Sequence, residues 1–182
     1  MLTRLATAGF SVVELMVVMV VIGILMAFAV PTFTEFLSNQ QIRVGADAVI
    51  SGLQVARGEA IRRNLSVQVA IDVPNSGWVV SESASGTMVQ TRTHEEGSRN
   101  ANLTTIPNGT TTLTFTPLGG VTGNNDGSFS VQQIDIDNPG GGACQPSGPM
   151  RCLRILVSGG GSIRMCDPNL PVTVPPDPRA CP

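Results

Sequence analysis

Residues able to do chemistry are few in this chain, and their spacing narrows the choice further. Glu14 is the only charged residue in the stretch 9–31, GFSVVELMVVMVVIGILMAFAVP. A carboxylate inside an apolar segment costs about 2.5–3.5 kcal/mol on insertion scales, so it calls for a charged partner. His94 is the single histidine, lies beside Glu95 and Glu96, and reads as a solvated surface side chain. No Ser-His-Asp set can be assembled around it. Asp135 and Asp137 alternate next to Asn138, too thin a donor set for calcium, and read as an exposed strand edge. The glycine runs 140–142 and 159–161 lack the Lys-Ser/Thr of a phosphate loop and read as turns. Enzymatic chemistry therefore has no constellation to work with, and neither a catalytic residue nor a cofactor is expected.

Two other residue sets carry information. Cys144, Cys152, Cys166 and Cys181 all fall in the last 39 residues. Their spacings of 7, 13 and 14 intervening residues match no paired-cysteine zinc pattern, so two disulfides formed in an oxidising compartment are expected. Three pairings are possible. Cys144–Cys152 with Cys166–Cys181 would close two short loops, whereas a hairpin in this region would also bring Cys152 near Cys166. All eleven basic residues are arginine, charged residues make up 13%, and the net charge is −2. Such a balance excludes bulk attraction to nucleic acid or anionic lipid, leaving only local clusters. One exists: Arg151, Arg154, Arg164 and Arg179 face only Asp167 and Asp177 in the last 32 residues.

The elements that must position these residues follow from periodicity. Phe10 to Val30 is 21 residues, and as a helix it is about 30 Å long, the thickness of a hydrocarbon core. Pro31 should bend this helix rather than end it, because an apolar stripe resumes at Ile42, Ala46, Val49, Leu53, Ala56 and Ala60. One long, kinked helix is predicted from Phe10 to Arg63. From Ser66 the period becomes two, predicting strands at 66–73, 77–83, 86–94, 111–117, 128–136, 151–158 and 162–166, with 95–110 a polar loop. The last two strands form a hairpin across Gly159-Gly160-Gly161, and the Pro-rich tail is extended.

The Gly9-Phe10 junction, Glu14 five residues after Gly9 and the apolar run together resemble the class III signal of type IV pilins and type II secretion pseudopilins. VARGEAIRRN at the helix end, TFTPLGGV and LRILVSGGGSIRMC extend the resemblance to the FimT/GspH subfamily of minor pilins and pseudopilins. It implies a pilin-like α+β fold: a long kinked N-terminal helix, membrane-spanning in its first half, on an antiparallel β head with a disulfide-bonded C-terminal region. It implies a leader (1–9), a membrane or filament-core segment (10–30), an amphipathic half-helix (31–64), a β head (65–166) and a tail (167–182). Gly9 and Phe10 would be the processing site of a prepilin peptidase, the new amine on Phe10 would be methylated, and Glu14 would meet the amine of a neighbouring subunit. The implied location is the inner membrane, single pass, with the head in the periplasm, and then the filament. The partners are other pilins or pseudopilins.

The function this implies is a minor pilin priming a type IV pilus near its tip, with a type II secretion pseudopilin as the alternative. A third reading is DNA contact during transformation. Some relatives carry Gly-Arg-x-Arg on the final hairpin, and here Gly161 and Arg164 match while Ser162 replaces the first arginine. Arg151 and Arg154 are the substitutes, although an unbulged strand would point them to opposite faces. The remaining alternative is a secreted, disulfide-bonded β domain, cleaved after Ala27-Phe28-Ala29 with Leu15–Met26 as the signal's apolar region.

Overall fold

The computed structural model describes residues 11–171 and 177–182. Helix α1 runs without interruption from Val12 to Arg63. Ser11 caps it in extended conformation, its hydroxyl accepting from the Glu14 amide at 3.2 Å. The helix continues through Pro31, with the Thr32 and Thr34 hydroxyls donating to the carbonyls of Phe28 and Pro31. It ends where Asn64 turns into the left-handed region (φ 55°) and donates back to Ala60 and Ile61. Arg62 and Arg63 sit in the last turn, where the carbonyl end of the helix dipole favours positive charge.

Among the described residues nine strands follow: β1 (Val67–Asp72), β2 (Gly77–Glu82), β3 (Met88–Arg92), β4 (Asn102–Ile106), β5 (Thr112–Phe115), β6 (Val121–Thr122), β7 (Gln133–Asp137), β8 (Leu153–Val157) and β9 (Ile163–Cys166). They form two antiparallel sheets, ordered β3-β2-β1-β5-β6 and β4-β7-β8-β9. The expected apolar stripe of α1 is buried throughout, and it shares one core with Val69, Leu113 and Phe115 of the first sheet and Ile134, Ile136 and Ile155 of the second. Two glycines of α1 set the packing distance. A Cβ on Gly52 would come within 2.7 Å of the Trp78 ring, and one on Gly45 within 2.9 Å of the Ala101 Cβ. Trp78 is buried and donates its indole N–H to the Ala48 carbonyl at 2.8 Å.

Three expectations are corrected. Residues 95–110 are not all loop, because Leu103 and Thr105 turn inward and β4 pairs with β7. The strand expected at 128–136 begins only at Gln133. Before it, buried Asn124 organises the chain: its Oδ1 accepts from Thr114 and Ser130, and its Nδ2 donates to Ser128 and to the carbonyls of Thr112 and Phe129. Those bonds replace a strand ladder. Asp135 and Asp137 do not lie on a sheet edge, since β7 is flanked by β4 and β8.

Disulfides join Cys144 to Cys152 and Cys166 to Cys181, with Cα–Cα distances of 5.5 and 5.0 Å. The first closes a loop that grips α1 through the Arg151 amide, which donates to Asn39 Oδ1 at 2.7 Å, and just before the loop Asn138 donates to the Ser38 carbonyl and the Gln41 side chain. The second ties the tail to β9, where the Asp167 amide bonds the Arg179 carbonyl.

Candidate functional site: the bare helix and the terminal hairpin

The helix divides into two halves by burial. Every residue from Ser11 to Leu37 is exposed, whereas Ile42 onward supplies the core. Val12, Leu15, Met19, Leu25 and Phe28 are between 57% and 76% exposed, so this half buries nothing against the described residues. Burying each such side chain is worth about 1.5–3 kcal/mol, and an exposed apolar surface of this extent marks a membrane or protein contact. Glu14 lies in the first turn, where the positive end of the helix dipole favours a carboxylate. Gly9 and Phe10 lie outside the described residues.

At the other end of α1, charge fastens the helix to the head. Arg63 bonds Glu59 at 2.6 Å and Glu82 of β2 at 2.8 Å, and Arg62 also holds Glu59 at 2.6 Å. The hydrogen bonds from Arg62 and Arg63 hold the Glu59 carboxyl below its ordinary range. Ser85 and then Arg63 do the same for Glu82. Arg57 donates to the Gly119 carbonyl at 3.0 Å, fixing the β5–β6 turn. The β8–β9 turn lies directly against it: Gly161 adopts φ +75°, and a Cβ there would collide with the carbonyl of Gly119. Only glycine fits both requirements.

The hairpin arginines do not form one patch. Arg154 makes a two-pronged pair with Asp135, directly across the β7–β8 ladder, at 2.5 and 3.1 Å. Arg164 stands opposite Leu156, on the same face as Arg154, and donates to the carbonyls of Pro178 and Ala180 in the tail at 3.1 Å each. Arg151 precedes β8 and lines a cleft against α1 instead. The Arg154–Asp135 pair escaped the sequence reading because it depends on cross-strand register. Asp137 likewise accepts from Asn102 of β4 at 3.0 Å.

A long helix, bare in one half and packed by the other on an antiparallel β head, defines the pilin class of α+β protein. The match is also one of family: a model described as type II transport protein GspH covers residues 45–166, and the chain belongs to that family. The prokaryotic N-terminal methylation motif matches residues 4–30.

Two solved structures share the fold. The type IV minor pilin FimU of Pseudomonas aeruginosa PAO1 aligns with TM-score 0.52 at 18% identity, over 71% of this chain and 91% of that one. The minor pseudopilin EpsH from the type 2 secretion system of Vibrio cholerae aligns with TM-score 0.50 at 18% identity, over 71% and 99%. Among curated sequences, a type IV major fimbrial protein FimA of Dichelobacter nodosus is 37% identical over 74 residues, 41% of this chain and 45% of the relative. The chain thus spans less than half the length of the curated relatives it matches.

Proposed function

We propose that this chain is a minor subunit of a type IV pilus, held in the inner membrane by residues 10–30 until assembly and then carried in the filament through the same helix. Its head lies on the periplasmic side, and its position is near the filament tip, where it primes assembly. The observation that carries this reading is the bare half of α1, apolar from Val12 to Val30 apart from Glu14 and without a partner among the described residues. A bilayer covers it first and the helices of neighbouring subunits cover it afterwards. Within a filament, Glu14 offsets its desolvation by meeting the amine of the next subunit's mature first residue, Phe10. A pseudopilus of type II secretion is the second reading, favoured by the family match over residues 45–166.

The test is twofold. Mass spectrometry of the mature chain should find a start at Phe10 with a methylated amine; a start at Val30 would reject the reading in favour of ordinary secretion. Glu14→Ala should leave processing intact while depleting the protein from sheared filaments, and normal recovery there would remove Glu14 from assembly. Genetic depletion of the pilus and of the secretion system in turn shows which filament retains the chain.

A further inference from the structure

Just beyond the membrane segment lies a cleft of about 450 Å³ between α1 and the end of the Cys144–Cys152 loop. Arg43 and Arg151 line it together with Glu35, and Thr32, Asn39 and Gln40 add neutral polar groups. Phe36, 56% exposed, forms its apolar wall. Neither Arg151 nor Glu35 makes an ion pair among the described residues, and Arg43 approaches only Asp47, at 4.0 Å and with 69% of its side chain exposed. Two guanidinium groups and one carboxylate are therefore left open in one concavity.

Its height above the bilayer follows from the helix. Twenty uncharged residues, Leu15–Thr34, separate Glu14 from Glu35. At about 1.5 Å each they match a hydrocarbon core of about 30 Å, which puts Glu35 at its outer edge. The headgroup layer extends roughly 5–7 Å further on each side. Arg151 is tied to Asn39, about 7 Å along the helix from Thr34. The Arg43 Cα lies about 13 Å along, but helical side chains lean towards the N-terminus, and an extended arginine reaches back roughly 6 Å. Both guanidinium groups thus fall at the level of lipid phosphates. Phe33 and Leu37, 60% and 44% exposed, flank the same level with apolar surface suited to the upper acyl chain.

We propose that this cleft is a phospholipid headgroup site, with Arg43 and Arg151 on the phosphate. Its occupant is a glycerophospholipid in the outer leaflet of the inner membrane. The inference rests on the membrane reading of residues 12–34. Planar guanidinium donors match phosphate oxygens. Occupancy would fix the rotation of α1 in the bilayer before assembly, because the site involves one face of the helix and the loop packed beside it.

The test uses the full chain, first in vesicles and then by native mass spectrometry from detergent with dioleoyl-phosphatidylethanolamine or dioleoyl-phosphatidylcholine as the probe. The wild type should retain the ethanolamine lipid, and R43Q/R151Q should bind it about tenfold more weakly, the loss expected from about 1.4 kcal/mol of phosphate contact. Retention in R43Q/R151Q equal to wild type would overturn the assignment. Millimolar inorganic phosphate should leave the lipid in place, and displacement by it would overturn the lipid in favour of a soluble phosphate. Carbonate washing of the vesicles separates the two levels. Loss of the wild-type chain would overturn the membrane reading and this site with it, whereas full retention with equal lipid binding would overturn the site alone.

Discussion

Gly52 and Gly58 lie on the same helix six residues apart, and replacing each with alanine should move stability in opposite directions. In an exposed helix interior, Gly→Ala stabilises by about 0.5–1 kcal/mol through backbone entropy and propensity. Gly58 is exposed, with nothing within 4 Å of an added Cβ, so Gly58→Ala should show that gain in full. At Gly52 the same methyl meets three ring atoms of Trp78 at 2.7–2.9 Å. Trp78 is 2% exposed and anchored through its N–H to Ala48, so the ring cannot swing away freely. Overpacking of this kind costs about 1–3 kcal/mol, and losing the indole bond adds about 0.5–1.5 kcal/mol. Against the propensity gain, Gly52→Ala should destabilise by about 1–3 kcal/mol. In a soluble head beginning near Thr34, that lowers the thermal midpoint by about 3–9 °C, while Gly58→Ala raises it by about 2 °C. Calorimetric melting of the two variants measures the difference. A Gly52→Ala head as stable as Gly58→Ala would refute the claim that the helix–sheet distance is set by the missing side chain.

Other outcomes follow from the bonds that close the head. That head should contain no reactive thiol under oxidising conditions, and removal of either bridge should cost about 2–5 kcal/mol in urea unfolding; two titratable thiols in the native protein would contradict the pairing. Glu59 and Glu82 have folded pKa values lowered by their arginine and serine partners, so their contribution is present above the ordinary glutamate range of about 4.3 and lost as pH falls through the folded values. The melting temperature should therefore drop below about pH 4, and Arg63→Gln should flatten that drop; equal acid sensitivity would exclude the cluster. For DNA, Arg154 is committed to Asp135 and Arg164 to the tail, so binding by mobility shift should be no tighter than micromolar and should fade at physiological salt, with a log–log slope of about −1 to −3. Arg164→Gln should abolish it and Ser162→Arg should strengthen it; nanomolar affinity, or indifference to both changes, would place any DNA surface elsewhere.

What was legible in the sequence was whatever repeats along the chain. The stripe Ile42–Ala60 and the strands around Val69, Val80 and Ile155 alternate apolar residues at the period of their element, and periodicity survives without knowledge of partners. β4 was hidden because NLTTI buries a leucine and a threonine, too polar a pair to signal a strand until β7 is placed beside it. β6 has only two residues, and its pairing is set by the turn that Arg57 holds. The division into two sheets was not legible either, because it depends on β4 joining β7 rather than β3. For the candidate site, the bare helix and Glu14 could be read directly, whereas the fate of each arginine could not. Asp135 and Arg154 are nineteen residues apart, and only the ladder register makes them neighbours.

The unbroken course of α1 has a mechanical consequence. Its 52 residues make a rod of about 78 Å. The head is fastened to that rod at two well-separated stations, Asn138 on Ser38 and Arg57 on Gly119, so it has no hinge of its own there. With the apolar half seated in lipid, as proposed, and α1 stiff across Pro31, the whole body would behave as a lever. A tilt of about 5° at the membrane end sweeps the far end of the helix through roughly 7 Å, more than the width of a side-chain contact. Small changes in how deeply or at what angle the apolar half is seated are thereby converted into large displacements of the β head. Bilayer thickness, acting only on the apolar half, would in this way set the height and bearing at which the head is offered to an incoming subunit.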